Sequence, residues 1–600
     1  MTYADETSAM AALADTIGWT DSLAATVSAR AADAISAIRT HHAPGLMESL
    51  LAEYGLNTDE GVALMCLAEA YLRTPDAATL DALISDKIGE GDWSRHLGRA
   101  ESSLVNASTW ALMLTGRVYR QIPADASDLG SVMKSVVQRL GEPVVRTAVA
   151  QAMKMLGTQF VLGSTIDDAL ENAKADRQKG NVLHSFDMLG EAARTEEDAQ
   201  RYFRSYANAI TAIAGHALSD DPHSNSGISV KLSALHPRYE ALQADRVKTE
   251  LVPRIAALAA MAAKAKIGLN IDAEEADRLD VSLDVIAALL ADPALAGWNG
   301  LGIVVQAYAK RTPALLDWLY ALAQTHDRRF AVRLVKGAYW DAEVKLAQLG
   351  GMAGYPVWTR KEHTDTAFLA CARKLLAMTS HIYPQFATHN AHTTVAIEAM
   401  AEEMKLAAPF EFQRLHGMGA PLHDMLQQTD KRLRRIYAPV GVHRDLLAYL
   451  VRRLLENGAN SSFVHQIVDA SVPPETIAAD PVAKARAHGF APHPAIALPA
   501  NLYGLRANSR GWNMNDTAER GALMAQVLPH LAARHEGGKP RSATRPIWMI
   551  SPVPQTQPRS HTRRMPSARR WPGLMCGRQH RPPSAPPCWK RPPICSRRAR

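Results

Sequence analysis

The sequence has few cysteines, no long hydrophobic run and no glycine-rich dinucleotide turn, and each absence excludes a class of protein. Five Cys occur in 600 residues and none forms a CxxC pair, so we expect neither a disulfide framework nor a cysteine-based metal site. No run of about 18 apolar residues exists, and the N-terminus lacks a basic segment followed by an apolar one, so we expect no membrane span and no secretory signal. With 47% hydrophobic and 21% charged residues, the chain is predicted to be a soluble, multidomain cytoplasmic protein.

Acidic residues are absent from the last sixty positions, which contain 13 Arg, one Lys and 12 of the 34 Pro. The formal charge of +7 arises there, because the other 540 residues carry 53 basic against 60 acidic side chains. Such a segment cannot bury enough apolar surface to offset its chain entropy, so residues 541–600 are predicted to be a disordered basic tail. Two origins stay open, namely translation in a shifted reading frame and a genuine basic interaction tail.

Eight short apolar, β-branched runs alternate with stretches long enough for a helix, and the stretch 315–327 has clear helical periodicity. Strand–helix units repeated eight times predict an α/β fold, a (β/α)8 barrel. The alternative is a doubly wound sheet, which we disfavour because no GxGxxG turn opens a helix after a strand. The eight runs are residues 182–188, 228–235, 268–274, 302–307, 331–338, 385–390, 410–415 and 434–440.

The remaining sequence suggests four further segments around this barrel, which we place at residues 179–470. An Ala-rich helical segment (1–44) precedes several amphipathic helices that would form an all-α arm (45–178). A linker with a short helical piece at about 517–535 follows the barrel (471–540), and the tail completes the chain.

One helical pattern, at residues 445–458, places two arginines and a tyrosine on a single face. Tyr449, Arg452, Arg453 and Glu456 follow the helical period, and the run before them would bring Tyr437 to the same place. Because Arg binds a carboxylate bidentately and Tyr supplies a ring wall, this face predicts a ligand with a carboxylate at one end and an apolar part at the other. The alternative is a solvated arginine pair with an Arg–Glu surface bridge.

Polar side chains follow nearly every predicted strand, at the end of the barrel where such enzymes build their sites. Two basic clusters, at residues 333–340 and 359–364, supply cations for a pyrophosphate, and Gly337 would allow close backbone approach. The residues alone therefore predict a barrel that binds a dinucleotide or phosphorylated ligand beside a small amino acid or carboxylate.

Several long motifs resemble the proline dehydrogenase domain of the bacterial bifunctional proline utilization A flavoproteins. They are KLSALHPRY (231–239), NIDAEEADRL (270–279), RLVKGAYWD (333–341), FATHNAHT (386–393), EFQRLHGMG (411–419) and the stretch 437–464. The resemblance runs from about residue 56 to about residue 505. It implies a distorted (β/α)8 barrel that holds FAD and follows a helical arm.

The resemblance also implies roles for individual residues. On the substrate side, the resemblance implies that Arg452 and Arg453 bind the proline carboxylate and that Tyr437 and Tyr449 flank the ring. A Glu191–Arg452 ion pair would close over the bound substrate. Neighbouring residues on this side are Lys231, Asp272 and Leu415. On the FAD side, residues near the flavin ring and the pyrophosphate are Gln306, Arg333, Lys336, Gly337, Ala338, Trp340, Arg360, Lys361, Thr364, Thr388, His389, Asn390, Gln413 and Glu456.

The function implied by the resemblance is FAD-dependent oxidation of L-proline to 1-pyrroline-5-carboxylate. Electrons would pass to a membrane quinone during transient peripheral contact with the inner face of the membrane, and a homo-oligomer is compatible with the sequence. Residues 1–44 contain no basic strand before their helices, so we expect no sequence-specific DNA binding. Residues 501–523 resemble the start of the family's aldehyde dehydrogenase domain and then give way to the tail, so we expect that second activity to be absent.

Two other functions remain open. A barrel lyase or aldolase would use Lys231 or Lys336 as a Schiff base, and it would be colourless and trapped by borohydride. A non-enzymatic regulatory protein would use its basic tail to bind nucleic acid. An absorption spectrum separates a flavoprotein from both.

Overall fold

The computed structural model describes residues 2–41, 160–430, 432–441, 463–469 and 471–532, together with the single residues 76, 79, 449 and 452. The chain forms two compact units, Met1–Leu523 and Met524–Arg600, and the described part of the second is residues 524–532, which are helical. Most of the predicted arm and all of the predicted disordered tail lie outside the described residues.

Eight parallel strands form a closed barrel in sequence order, so the predicted (β/α)8 fold is confirmed. Each strand overlaps one of the predicted runs. The barrel closes between the first and last strands through registered pairs from Val182↔Arg434 to Met188↔Val440. The strands are β1 (Val182–Met188), β2 (Gly227–Val230), β3 (Leu269–Ile271), β4 (Leu301–Gln306), β5 (Phe330–Val335), β6 (Ile382–Ala387), β7 (Glu411–Leu415) and β8 (Arg434–Val440).

Helices surround the barrel and also precede it. In the described residues, the α-helices of four or more residues are α1 (Glu6–Asp15), α2 (Asp21–His41), α3 (Ile166–Lys179), α4 (Glu196–Ala214), α5 (Leu232–Leu235), α6 (Val252–Lys264), α7 (Leu279–Ala291), α8 (Thr312–Thr325), α9 (Trp340–Gly350), α10 (Lys361–Ala377), α11 (Ala391–Glu403), α12 (Ala420–Asp430), α13 (Phe463–Val468), α14 (Pro474–Ile477), α15 (Pro481–Ala487) and α16 (Thr517–Ala532). None of them is long and apolar enough to cross a membrane.

Four strands, β2, β3, β5 and β7, are shorter than predicted, and in β2 and β5 the difference places residues at the mouth of the barrel. The run predicted as a strand over 228–235 leaves the sheet after Val230, where the backbone N–H of Lys231 donates to the hydroxyl of Tyr206 (3.2 Å) and α5 begins. Strand β5 ends at Val335, because Gly337 has φ +143°, a conformation that glycine adopts readily and other residues rarely do. In both places the chain turns to form the wall of the site.

The interior of the barrel is polar near its base. Both oxygens of the fully buried Glu411 accept hydrogen bonds from Arg435 (2.7 and 3.0 Å), and Oε1 also accepts from Gln385 (2.9 Å) and Gln413 (2.6 Å). Arg435 further donates to the backbone carbonyl of His223 (2.7 Å). A buried ion pair that satisfies most of its hydrogen bonds holds its members in one geometry. We call this Glu411 network the barrel floor.

The N-terminal helices pack directly on the barrel's helical layer. Buried side chains of α2, among them Val27, Ala31 and Ile35, belong to the same apolar core as the barrel strands. The first helix buries Met10 against Trp358 and Ala367. The predicted Ala-rich segment is therefore two helices that form part of the described core.

Candidate active site

A cavity of about 340 Å³ opens at the C-terminal ends of the barrel strands. This is the end of the barrel where the sequence predicted a site. Sixteen of the predicted site residues line it: Lys231, Asp272, Gln306, Arg333, Lys336, Gly337, Ala338, Lys361, Thr388, His389, Asn390, Gln413, Leu415, Tyr437, Tyr449 and Arg452.

Lys231 is the centre of a buried charge cluster on one side of the cavity. Its ammonium group lies 3.0 Å from both oxygens of Asp187, 3.1 Å from Asp272 Oδ2 and 3.2 Å from the hydroxyl of Tyr437. Burial alone would lower the pKa of Lys231, but the acidic groups around it, Asp187, Tyr437 and Asp272, raise it well above its usual value. Lys231 is therefore held as a cation.

Tyr437 contacts two carboxyl groups with a single hydroxyl proton. Its oxygen lies 2.7 Å from Asp187 Oδ2 and 2.7 Å from Asp272 Oδ2. One hydroxyl can donate only one strong hydrogen bond, so the second short contact needs a proton on a carboxyl group. Burial raises the pKa of Asp187, with the charge of Lys231 opposing, so Asp187 is the carboxyl suited to carry that proton.

Arg333 joins this cluster from β5. Its guanidinium donates to Asp272 Oδ1 (3.3 Å) and to the hydroxyls of Ser229 (3.1 Å) and Ser185 (3.0 Å). Arg333 is 2% exposed, and its guanidinium carbon Cζ lies 5.4 Å from the ring centroid of Tyr437. The guanidinium of Arg333 therefore contacts polar side chains from three neighbouring elements: Ser185 in β1, Ser229 in β2 and Asp272 directly after β3.

A bidentate ion pair spans the cavity mouth. Arg452 donates to Glu191 through two parallel bonds of 2.8 and 3.0 Å, and its guanidinium lies 5.2 Å from the ring centroid of Tyr339. Burial alone would raise the pKa of Glu191, but the hydrogen bond and charge of Arg452 hold it below its usual value. Glu191 is therefore a carboxylate, and it occupies the side of Arg452 that another carboxylate could take.

Two lysines share one carboxylate on the opposite wall. Asp365 accepts from Lys361 (2.7 Å) and forms a very short contact with Lys336. Burial would raise the pKa of Asp365, yet the two ammonium charges lower it strongly. Among the described residues, both ammonium groups contact this carboxylate, and cations at the cavity wall suit an anionic ligand group.

Amide and backbone groups shape the rest of the cavity. Gln306 donates to the carbonyl of Glu274 (2.9 Å) and accepts from the N–H of Ala338 (3.3 Å), so it holds the loop around Gly337 against β4. A Cβ atom on Gly337 would lie 2.5 Å from the ring of Tyr308, so this loop requires glycine.

At the start of α11, the side chain of Asn390 caps the helix by accepting from Thr393 N–H (3.0 Å). Thr388 accepts from the N–H of Asn390 (3.1 Å), and His389 accepts from the N–H of Leu415 (3.0 Å). These bonds fix the turn that carries three of the predicted residues.

Some predicted residues lie elsewhere. Trp340 donates to the carbonyl of Trp358 (2.8 Å) in a small apolar cluster, and Arg360 donates to the carbonyl of Ala491 (2.8 Å), so neither lines the cavity. Thr364 is buried within α10 and does not line it either. Arg453 and Glu456 lie outside the described residues.

Several residues at the site did not emerge from the sequence, among them Asp187, Tyr339 and Phe463. Asp187 sits inside a strand, where its alternation with Ser185 was the available signal; Tyr339 lies within the quoted motif RLVKGAYWD, beside the basic residues. Phe463 also lines the cavity; it lies within the quoted stretch 437–464, where no role was assigned to it.

Comparison with known families agrees with this geometry. The model described as "Proline dehydrogenase" matches residues 169–466. The bifunctional protein PutA of Salmonella typhimurium is 51% identical over 496 residues, covering 81% of this chain and 37% of the relative. Proline dehydrogenase 1 of Bacillus subtilis is 27% identical over 322 residues, covering 54% of this chain and 93% of the relative.

A solved structure resembles the fold closely. The crystal structure of proline utilization A from Bradyrhizobium japonicum superposes with a TM-score of 0.68 at 46% identity, covering 90% of this chain and 54% of that one. The chain therefore spans about half the length, or less, of the bifunctional relatives it matches.

A second family match corrects the expectation about DNA. The model described as "DNA-binding domain of Proline dehydrogenase" matches residues 46–160, so the expectation of no DNA binding was wrong. It rested on the lack of a basic strand in residues 1–44, whereas the match lies in the segment interpreted only as a helical arm. That segment carries 10 basic and 14 acidic residues, so its charge gave no sign of a nucleic-acid partner.

The family models, the level of identity to the relatives and the closed barrel with its polar mouth agree with one another. The chain belongs to the proline dehydrogenase family.

Proposed function

We propose that this cavity oxidises L-proline to 1-pyrroline-5-carboxylate with FAD as the electron acceptor. The observation that carries the proposal is the division of the cavity into two chemically different walls. One wall combines Arg452 with tyrosine rings, and the other combines Lys336 and Lys361 over a single carboxylate. The first suits a small amino acid, and the second suits a phosphate-containing cofactor.

The substrate wall would hold proline by its carboxylate and its ring. Arg452, already bidentate to Glu191, would exchange that partner for the proline carboxylate, so the Glu191–Arg452 pair would act as a gate. Tyr437, Tyr449 and Leu415 would enclose the apolar methylene groups of the ring. Arg453 is assigned to the same carboxylate by family resemblance alone.

Unsatisfied buried groups in the cavity fit a flavin ring. Gln413 Oε1 and Arg333 Nε are buried, and neither makes a hydrogen bond with any described residue, which leaves one acceptor and one donor for a ligand. Both residues line the cavity, and a flavin carries N–H and carbonyl groups that match them. Lys336 and Lys361 would hold the pyrophosphate.

FAD, when bound, supplies the two-electron acceptor for the C5 hydride of proline. The residues of the chain would fix the proline carboxylate and exclude water. The cations Arg333 and Lys231 give the cavity a positive field, which favours negative charge that develops during the reaction. Asp187, Tyr437 and Asp272 hold Lys231 in place, and these titratable groups share short hydrogen bonds with one another.

The remaining functional expectations extend this proposal. Electrons would leave to a membrane quinone during transient peripheral contact with the inner face of the membrane, and the protein would be cytoplasmic. The absence of aldehyde dehydrogenase activity stays a prediction for the chain of 600 residues, checked by whether proline drives NADH formation. FAD, the quinone and a homo-oligomeric state are expectations carried by the family.

A second candidate function is DNA binding by residues 46–160, supported by the match of that segment to a domain named for it. Electrophoretic mobility shift with the purified chain tests it. The control is the chain truncated after residue 540, because the basic tail alone can bind nucleic acid without specificity.

The experiment that tests the main proposal is an absorption spectrum of the purified protein with a proline-dependent dye assay. We expect flavin bands that bleach on anaerobic addition of L-proline, and dye reduction without added nicotinamide. A colourless protein that gains no proline-dependent dye reduction when FAD is supplied contradicts the proposal.

A further inference from the structure

The N-terminal helices α1 and α2 lie outside both matched family segments, yet each sends one charged side chain into the barrel domain. The matches begin at residue 46, whereas α1 and α2 cover residues 6–41. Glu6 of α1 and Arg39 of α2 are the two side chains, and each contacts an element that contributes a residue to the cavity.

The buried carboxylate of Glu6 contacts the residues at the start of α10. Its Oε1 accepts hydrogen bonds from the backbone N–H of Thr359 (2.8 Å), the hydroxyl of Thr359 (2.9 Å) and Nδ1 of His363 (2.7 Å). Its Oε2 lies 3.6 Å from the ammonium group of Lys310, which also donates to the carbonyl of Ala4 (3.1 Å). Glu6 is 5% exposed, and although burial would raise its pKa, these partners lower it. A buried carboxylate so thoroughly bonded orients the groups around it.

The helix that Glu6 contacts lacks a cap of its own. Arg360, the N-cap residue of α10, makes no side-chain capping bond, so the Glu6 contacts to Thr359 and His363 hold the first turn from outside. That turn carries Lys361 and ends at Asp365, which in turn binds Lys336. Glu6 is thus connected to both cavity lysines through the first turn of α10.

Arg39 contacts the C-terminal end of α13. Its guanidinium donates four hydrogen bonds to backbone carbonyls at and after the end of that helix: Ile467 (2.9 Å), Val472 (2.9 Å), Gln466 (2.9 Å) and Asp469 (2.7 Å). The last carbonyls of a helix have no partners within it, and a cation there also complements the helix dipole. The helix held in this way begins at Phe463, a residue of the cavity wall.

The two held residues meet at one place. Lys361 and Phe463 line the main cavity and also a second cavity of about 220 Å³ beside it, which Asn390 shares. The N-terminal segment therefore contacts the two elements that carry Lys361 and Phe463, which both cavities share. Arg30, also on α2, pairs with Glu402 (3.2 Å) and Glu398 (3.9 Å) of α11, whereas Asp33 on α2 is exposed.

We propose that Glu6 and Arg39 are positioning residues, and that the N-terminal segment 2–41 serves to hold Lys361 and Phe463 in place for the phosphate-bearing part of the ligand. The ligand is taken as FAD, so this inference rests on the proposed function. Neither residue would touch FAD or proline. Their loss would act on cofactor retention through the turns they hold and would leave proline binding in the loaded enzyme unchanged.

The test compares Glu6→Gln and Arg39→Met with matched controls on the same helices. Asp5→Asn removes the charge of the exposed N-cap of α1, whose side chain accepts from Ser8 N–H (2.9 Å), and Asp33→Asn removes an exposed charge of α2. We expect the dissociation constant of FAD, titrated into apoprotein, to rise about tenfold in Glu6→Gln and Arg39→Met, the size that follows from losing a hydrogen bond to a charged group. The KM for proline at saturating FAD should not change, and the controls should match wild type in both measurements.

Hydrogen exchange measures the positioning directly. Amides at residues 360–366 should exchange faster in Glu6→Gln, and those at 463–469 faster in Arg39→Met, each without a change in the other segment. If Glu6→Gln does not fold, Thr359→Val removes one of the same hydrogen bonds, and the same changes in amide exchange should appear with smaller magnitude. A wild-type protein without flavin would contradict the proposed function, and exchange in apoprotein would still decide the positioning role.

A double-mutant cycle distinguishes positioning from general stability. Because Glu6 acts through Lys361, Glu6→Gln should weaken FAD binding much less when introduced into Lys361→Met than into wild type. Additive losses, a rise in the KM for proline, or equal effects in Asp5→Asn and Glu6→Gln would each overturn the proposal.

Discussion

The hydroxyl oxygen of Tyr437 lies 2.7 Å from Oδ2 of Asp187, and the two residues come from the strands that close the barrel. The same oxygen is equally close to Asp272, so the three groups hold one more proton than a single tyrosine hydroxyl supplies. Asp187, which is fully buried and has a raised pKa, is the group assigned that proton.

This assignment predicts different outcomes for two substitutions at residue 187. Asp187→Asn keeps a donor towards Tyr437 and an acceptor towards Lys231, so the free energy of unfolding should fall by no more than about 1 kcal/mol. Asp187→Ala leaves the Lys231 ammonium without its nearest partner and should cost about 3–5 kcal/mol. Urea unfolding measures both, and equal losses in the two variants would show that Asp187 is ionised.

Arg452 should determine proline affinity without affecting the flavin. Arg452→Met removes a bidentate partner for a carboxylate in a partly desolvated site, which is worth about 2–5 kcal/mol, or roughly thirtyfold and more in the KM for proline. Flavin content should stay at the wild-type level. The control is Arg201→Met, which removes an arginine paired with Asp198 on the surface (2.9 Å). An unchanged KM in Arg452→Met would make the Glu191–Arg452 pair purely structural.

Lys361 should determine FAD affinity without affecting proline affinity, the reverse of what is expected for Arg452. Lys361→Met removes one of the two ammonium groups over Asp365, so FAD should bind more weakly, by about tenfold for one lost charge-assisted contact. Proline KM at saturating FAD should stay as in wild type, because Lys361 lies on the other wall. Equilibrium titration of apoprotein with FAD measures the first effect and steady-state kinetics the second. Coupled changes in both parameters would contradict the division of the cavity into two walls.

The buried carboxyl of Glu274 predicts a loss of stability as pH rises. Burial raises its pKa to about 7, against the opposing charge of Arg278, whereas the unfolded chain titrates near 4.5. Between these two values the unfolded state has released a proton that the folded state keeps, so the contribution of Glu274 to the free energy of unfolding decreases with pH across this window. Glu274→Gln should flatten the decrease, and Glu343, whose pKa burial also raises to about 7, should account for slope that remains.

Thermal unfolding between pH 5 and pH 8 checks this prediction. The control is Glu250→Gln, because hydrogen bonds from Arg246 and His236 lower the pKa of Glu250 to about 2, below the window measured. That variant should keep the wild-type slope. Buried histidines act in the opposite sense, because burial lowers the pKa of His223, His392 and His416 to about 4, so the contribution of Glu274 is the difference in slope between wild type and Glu274→Gln. Identical slopes in these two proteins would contradict the raised pKa of Glu274.

Much of the fold follows from the periodicity of the sequence. Strands β1 and β8 have the bounds that were predicted, although both carry polar residues, because each is a short, largely buried run followed closely by a glycine, Gly190 and Gly441 respectively. The end of β2 was misplaced, since the apolar run continues through Leu232–Leu235 and hydrophobicity alone does not distinguish a buried strand from a buried helical turn.

The site could be predicted only where its residues follow strand ends or lie in long motifs. Asp272, Gln306 and Tyr437 were found in this way. Asp187 was missed because an acidic residue within a strand has no distinctive local pattern, and only the closed barrel shows that it faces Lys231. Glu6 and Arg39 were missed for a related reason, since their partners are more than 350 positions away.

The pairing of β1 with β8 has a consequence for how the protein folds. Tyr437 and Asp187 are separated by 250 positions, so their contact forms only when the first and last strands of the barrel meet. Contacts of such large sequence separation form late, because the entropy of closing the intervening chain is lost before any bond compensates for it. The proton-sharing group therefore does not exist in a partly folded barrel, and the return of proline turnover during refolding reports on closure of the ring of strands and not on the earlier formation of its helices.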